Sequence, residues 1–186
     1  ALCPLQSRHT KAFLASAPPF RHLGIMTQFS TAARHATAAL RELFPETPLQ
    51  RNDFLSARYD AEIWLKREDL SPVRSYKLRG AFNAMRKVRA ARPDQHQFVC
   101  ASAGNHAQGV AFACRHFGVQ GVIFMPVTTP QQKIDKTRVF GGDSIQIQLT
   151  GDYFDQTLAA AQTFCAEHQA HFLSPFDDPD VIEGQA

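Results

Sequence analysis

The chain has 186 residues, 44% of them hydrophobic and 20% charged, which fits one soluble globular domain with a tail, or most of a larger domain. Its net charge of +3, spread along the chain, is too weak for the basic footprint of a nucleic-acid or membrane-surface binder. No apolar window reaches the length of a membrane span, and no secretory signal is visible. The four cysteines, Cys3, Cys100, Cys114 and Cys165, show no CxxC pair and no metal-ligand spacing, so they read as reduced thiols and no metal is expected.

The first acidic residue is Glu42, and Arg8, Lys11, Arg21, Arg34 and Arg41 precede it among many Ser, Thr and Ala. A basic, acid-free, Ser-rich start has the composition of an organelle transit segment. The preferred reading is a start at Met26 with cytoplasmic residence, which leaves an organelle transit segment as the alternative. Residues 1–42 are therefore expected to be a tail, and residues 43–186 to belong to the folded domain.

Beyond the tail, short apolar runs alternate with segments of helical period. Glu62 to Lys66 is a strand candidate. A helix is expected from about Ser75, its N-cap, with Leu78, Phe82, Met85 and Val88 on one face and Pro93 past its end. Phe98 to Ala101 is a strand, followed by a helix from Asn105 whose Ala107, Val110, Cys114 and Phe117 share a face before Gly118 closes it. Gly121 to Met125 is a strand, Gln131 to Phe140 a helix broken by Gly141-Gly142, and Ser144 to Leu149 an alternating strand. Gly151 marks a turn, the next helix uses Phe154, Leu158, Ala161 and Cys165, and His171-Phe172-Leu173 opens another strand. Strand and helix in alternation, joined by short Gly or Pro connections, define an α/β fold with a mostly parallel sheet and flanking helices.

In such sheets ligands bind beyond the carboxyl ends of the strands, where helix N-termini point. Two segments there carry unusual chemistry. Lys77 falls in the first turn of its helix, where the helix dipole disfavours a cation. A cation so destabilised gives up its proton more readily, the state in which an amine attacks an aldehyde. The competing reading is a solvated surface lysine. In Ser102-Ala103-Gly104-Asn105-His106, the Ser102 hydroxyl, the amides near Gly104 and the Asn105 side chain can together hold a carboxylate. An ordinary capped strand-to-helix turn is the alternative, and His106 taken alone reads as structural or solvated.

The run Pro72-Val73-Arg74-Ser75-Tyr76-Lys77-Leu78-Arg79-Gly80-Ala81 resembles the pyridoxal-phosphate attachment site of the serine/threonine dehydratase family. Ala101-Ser102-Ala103-Gly104-Asn105-His106-Ala107-Gln108-Gly109-Val110-Ala111 resembles the substrate and cofactor loop of the same family. Leu65-Lys66-Arg67-Glu68-Asp69-Leu70, Met125-Pro126, Pro175-Phe176-Asp177 and Gly184-Gln185 follow in the family's order, so the resemblance covers about residues 43 to 185.

The resemblance implies a two-lobed, fold-type-II pyridoxal-phosphate enzyme, present here as an incomplete N-terminal part. Lys77 is implied to be the Schiff-base lysine and then the base at the substrate α-carbon. Asn105 is implied to hydrogen-bond the cofactor's 3-hydroxyl, and Ser102, Gly104, Asn105 and His106 to line the substrate carboxylate pocket. The expected reaction converts L-threonine to 2-oxobutanoate and ammonia, as the first step of isoleucine synthesis, with L-serine as a second substrate. The alternatives are a degradative dehydratase, or a binding module without catalysis. Racemases of this fold carry serine where Ala103 stands, which favours dehydration. The family's phosphate-cradling glycine loop is expected beyond Ala186, so residues 1–186 alone are expected to be inactive. Glu183 and Ala186 depart from the family pattern, which has a small residue and a glycine there. A homo-oligomer is expected for the full-length protein.

Overall fold

The computed structural model describes residues 21–186. In chain order these form α1 (Arg21–Leu43), β1 (Leu49–Arg51), α2 (Asp53–Tyr59), β2 (Trp64–Lys66), α3 (Lys77–Ala91), β3 (Gln97–Ala101), α4 (Asn105–Phe117), β4 (Gln120–Met125), α5 (Gln131–Gly141), β5 (Ile145–Leu149), α6 (Phe154–His168), β6 (His171–Phe172) and α7 (Pro179–Gln185). Four strands make a parallel sheet in the order β5-β4-β3-β6, with Val99 opposite both Val122 and Phe172.

The two central strands are apolar at every position from Phe98 to Ala101 and from Val122 to Met125 because both faces are covered. Phe98, Cys100, Ile123 and Met125 point to one face, against Met85 of α3, Val110 and Cys114 of α4, and Ile134 of α5. Val99, Ala101, Val122 and Phe124 point to the other, where Leu158, Ala161 and Phe164 of α6 cover them. Full burial of a side chain such as Phe98 or Ile123 contributes about 1.5–3 kcal/mol each relative to exposure. Gly118 closes α4 with φ 62, its N–H donating to the Arg115 and Cys114 carbonyls.

The structure departs from the sequence expectation at its margins. The strand expected over residues 62–66 shrinks to β2, which pairs antiparallel with β1 in a separate two-stranded sheet. The Ser75 hydroxyl does accept from the Lys77 N–H at 3.2 Å, but α3 opens at Lys77 with Tyr76 already helical. Three helices had no counterpart in the periodicity. The second half of α1 packs Leu40, followed by Phe44, against Val73, Leu78 and Phe82. α2 is capped by Asn52, whose side chain accepts from the Leu55 N–H. α7 is capped by Asp178, with Pro179 at its start. α2 and α7 have seven residues each, too few to show a period.

α7 lies on α3 at glycine distance: a Cβ on Gly184 would stand 2.5 Å from the Arg79 carbonyl, and one on Gly80 2.7 Å from that of Val181. Lys87 of α3 then holds Asp180 and Glu183 of α7, the latter at 2.6 Å. This gives Glu183, one of the two departures from the family pattern, a structural partner.

Cys100, Cys114 and Cys165 are unpaired, and Cys3 lies outside the described residues. Burial pushes the Cys100 thiol well up, that of Cys114 to about 12 and that of Cys165 to about 11. Among the described residues no helix is long and apolar enough to cross a membrane, and no cluster of side chains is set to hold a metal ion.

Candidate active site

At the carboxyl edge of the sheet, β3 ends at Ala101 and α4 begins four residues later at Asn105. The Ser102 N–H donates to the Phe124 carbonyl at 3.0 Å, tying the loop to β4, and the Ser102 hydroxyl accepts from the Gly104 N–H at 3.2 Å. The first backward bond of α4 runs from the Gln108 N–H to the Gly104 carbonyl at 3.3 Å. The amides of Asn105, His106 and Ala107 therefore have no carbonyl one turn earlier and stand free at the positive end of the helix. A Cβ on Gly104 would meet nothing within 4 Å, so the loop opens onto space there.

Lys77 faces this loop from the start of α3. Its approach is fixed by Ser71, whose hydroxyl accepts from the Ser75 N–H at 2.9 Å and donates to the Ser75 carbonyl at 3.0 Å. Between them Arg74 takes φ 57, a left-handed conformation costly for a side chain of its kind. The Lys77 ammonium donates to the Pro175 carbonyl at 2.8 Å and stands 5.5 Å from the Tyr76 ring centre and 5.8 Å from that of Phe176. α3 and α4 approach closely because position 109 is glycine. A Cβ there would stand 3.1 Å from the Lys77 carbonyl oxygen and 3.1 Å from the Leu78 Cα.

Between these elements lies a cleft of about 370 Å³. Lys77, Ser102, Asn105 and His106 all line it, and Gly104 sits between two of its lining residues, Ala103 and Asn105. All five residues singled out in the sequence thus meet at one place. Larger hollows exist, such as one of about 620 Å³ beside Arg51 and Asp60, but no lysine amine lines it. Chemistry, and not volume, marks the site.

His106 is buried, with 3% of its surface exposed, and its Nε2 lies 3.0 Å from the Leu173 carbonyl. A carbonyl can only accept, so the proton sits on Nε2. Burial lowers the His106 pKa to about 4; the Leu173 bond works against that shift and the nearby Lys77 adds to it. The ring is neutral, and its Nδ1 is buried without a partner. Tyr76, Phe154, Pro175 and Phe176 also line the cleft, and sequence reasoning gave none of them a role there. Phe154 was expected on the buried face of α6, yet it is 38% exposed at the cleft. The signal available was the aromatic residue beside each of Lys77 and Pro175.

An amine facing a loop of free amides beyond a parallel strand's carboxyl end is an arrangement able to hold a carbonyl compound that also carries an anionic group. A family model described as pyridoxal-phosphate dependent enzyme matches residues 21–186, and the chain belongs to that family. It is 52% identical over 146 residues to the biosynthetic L-threonine dehydratase IlvA of Bacillus subtilis, and 49% identical over the same length to that of Staphylococcus aureus. Each match covers 78% of this chain and 34% of the relative, so the chain spans about a third of the length of the curated relatives it matches. Among solved structures, threonine deaminase isoform 2 of Solanum lycopersicum superposes with a TM-score of 0.75 at 38% identity, over 85% of this chain and 43% of that one. The fold is the fold-type-II one of these enzymes.

The residues present fit the cofactor at its aldehyde and ring. They offer an amine at Lys77, a carboxamide at Asn105, an aromatic wall at Tyr76, and open space beside Gly104.

Proposed function

We propose that this protein is a threonine ammonia-lyase, converting L-threonine to 2-oxobutanoate and ammonia, with L-serine going to pyruvate as a second reaction. The reading also makes it the first enzyme of isoleucine synthesis and a homo-oligomer when full length. The observation that carries it is the meeting of Lys77 with the Ser102–His106 loop in one cleft, in a chain 52% identical to a biosynthetic threonine dehydratase.

Bound pyridoxal phosphate supplies an electron sink that makes the substrate's α-proton removable. Lys77 would hold the cofactor, and its ε-amine, when free, would take the proton from the substrate α-carbon. Asn105 would hydrogen-bond the ring's 3-hydroxyl. The substrate carboxylate sits on the free amides at the start of α4, with the Ser102 hydroxyl beside them. His106 contributes its backbone N–H there, since its ring is neutral and held by Leu173. The electron pair left at the α-carbon would form the Cα–Cβ double bond, and the β-hydroxyl would take up the proton that Lys77 removed and depart as water. The enamine, set free as Lys77 again holds the cofactor, would become its imine and be hydrolysed to the 2-oxo acid and ammonia. Ala103 has no proton to give to the opposite face of the α-carbon, so it would not support return of the substrate as the D-amino acid.

Borohydride reduction of the full-length holoprotein, followed by peptide mapping, is expected to place the cofactor on Lys77. Lys77→Ala should remove the visible absorbance of the bound cofactor and lower turnover by about a thousandfold or more, the range for loss of a positioned base. Cofactor recovered on Lys66 or Lys87, with Lys77 unmodified, would overturn the assignment.

A further inference from the structure

The reading above fixes two substituents of the substrate α-carbon: the carboxylate lies at the start of α4 and the proton faces Lys77. Tetrahedral geometry sends the side chain in a third direction. The cleft walls that neither role uses include an aromatic pair, Phe154 and Phe176. Their rings meet edge to face with centres 6.2 Å apart and planes at 72°. The Phe176 ring centre is 5.8 Å from the Lys77 Nζ, close enough for a group on the β-carbon to touch it.

Each ring is set by its element. Phe154 is the first residue of α6, one turn before Leu158 and two before Ala161, which reach the core under Phe124, so its ring clears the sheet edge. Phe176 follows the Pro175 carbonyl that grips Lys77, and its N–H donates to the Ser174 hydroxyl at 3.3 Å. Phe176 is 63% exposed, although it lies among lining groups with fixed roles. Large apolar surface left open inside a ligand cleft is surface on which a ligand's apolar group gains contact.

We infer that Phe154 and Phe176 form the specificity wall of this site, receiving the γ-methyl of threonine and selecting amino acids with an apolar β-substituent over serine. The inference rests on the amino-acid reading of the cleft. A methyl gained in an enclosed apolar pocket is worth roughly 10–200-fold in selectivity, and this half-open wall belongs at the low end, about tenfold.

L-2-Aminobutyrate and L-alanine are threonine and serine without the hydroxyl, so they bind without being dehydrated. Titration of the holoenzyme, followed by the change in cofactor absorbance, is expected to show 2-aminobutyrate binding about tenfold tighter than alanine. Phe176→Ala and Phe154→Ala should each bring that ratio to within about threefold of unity, and lower the threonine-to-serine ratio of kcat/KM to match. Phe176→Leu, which keeps apolar bulk, should retain most of the preference, and Phe54→Ala on α2 should leave it in place.

A ratio that stays within about twofold of wild type in both alanine variants, with the cofactor still attached, overturns the wall. So does loss of cofactor binding with the ratio preserved in what remains bound, which would assign the rings to the cofactor. If one alanine variant fails to fold, the other and Phe176→Leu decide. Wild-type enzyme that binds neither analogue and dehydrates neither amino acid would overturn the amino-acid reading itself, and the wall with it. That result is distinct from a working enzyme whose ratio does not move.

Discussion

His106 shows how a residue of the right type can work differently from what its motif implies. Its ring ties the first turn of α4 to Leu173, at the base of the segment whose Pro175 carbonyl holds Lys77. With a folded pKa of about 4, caused first by burial, and an unfolded value of 6.5, the unfolded chain binds a proton that the folded one refuses. The resulting stability is fully present above pH 6.5 and is lost as pH falls toward 4. Between pH 7 and pH 5 the loss from this one group is about 2 kcal/mol. His106→Gln keeps a donor for Leu173 and has nothing to titrate. Urea unfolding at the two pH values should therefore show a shallower loss in the variant, by about that amount. Equal losses in both proteins would mean that the ring is already charged, or solvated, in the folded state. Arg74 is the other residue a motif could not explain. It holds φ 57 three residues before the start of the α3 helix, where Ser71 grips both the N–H and the carbonyl of the next residue, Ser75.

Among the elements, the six running from β3 to α6 were legible because they carry their own burial pattern: unbroken apolar runs for the two central strands, and helical stripes ended by Gly118 and Gly142. α7 was not legible, since its burial depends on glycine contacts and on Lys87, on a helix far away in sequence. Of the site, the two motif loops could be read, while the Pro175 carbonyl that holds Lys77 lies 98 residues further along the chain, and no local pattern joins them. Helix-to-helix distance is the element-scale quantity that matters most here, and Gly109 sets it. Gly109→Ala puts a methyl 3.1 Å from the Lys77 carbonyl oxygen, so α3 must yield by a few tenths of an ångström at its first turn. Alanine's better helix propensity, about 0.5–1 kcal/mol, offsets part of that contact, so thermal stability should change little. Turnover should fall about tenfold, since a shift of even 1 Å in a reacting group costs on the order of a hundredfold. Gly118→Ala makes the contrast: with φ 62 it should lose about 1 kcal/mol of stability and keep its turnover. The idea fails if kcat for Gly109→Ala matches wild type.

Over the whole molecule, the sheet gathers the amine, the amides and the aromatic wall at one edge, but it brings little there to neutralise a phosphate. Lys77 is the only cation among the described residues lining the cleft, and the proposed mechanism reserves it for the aldehyde. Arg79, two residues on, is held by Glu68 through paired contacts of 2.8 Å, with Thr47 bridging them. Burial opposes the Glu68 carboxylate, yet the bonds from Arg79 and Thr47 carry its pKa below the usual value, so Arg79 is not free to turn to a ligand. The paired glycines Gly141-Gly142 precede β5, which puts them at the amino edge of the sheet, away from the cleft. A cradle short of two charge-assisted hydrogen bonds, at roughly 1.5–3 kcal/mol each, loses about a hundred- to ten-thousandfold in cofactor affinity. The parallel sheet also ends in β5 with Leu149 46% exposed, and Val139 on α5 is 71% exposed, surface that invites association. A polypeptide of residues 1–186 alone is therefore expected to bind pyridoxal phosphate weakly and to form no measurable 2-oxobutanoate from threonine. The measurement is a 2-oxo-acid assay on the purified polypeptide with excess cofactor, alongside light scattering for its state of association. Robust turnover would place the phosphate site within these residues, and the free amides at the start of α4 would then be the first donors to reassign.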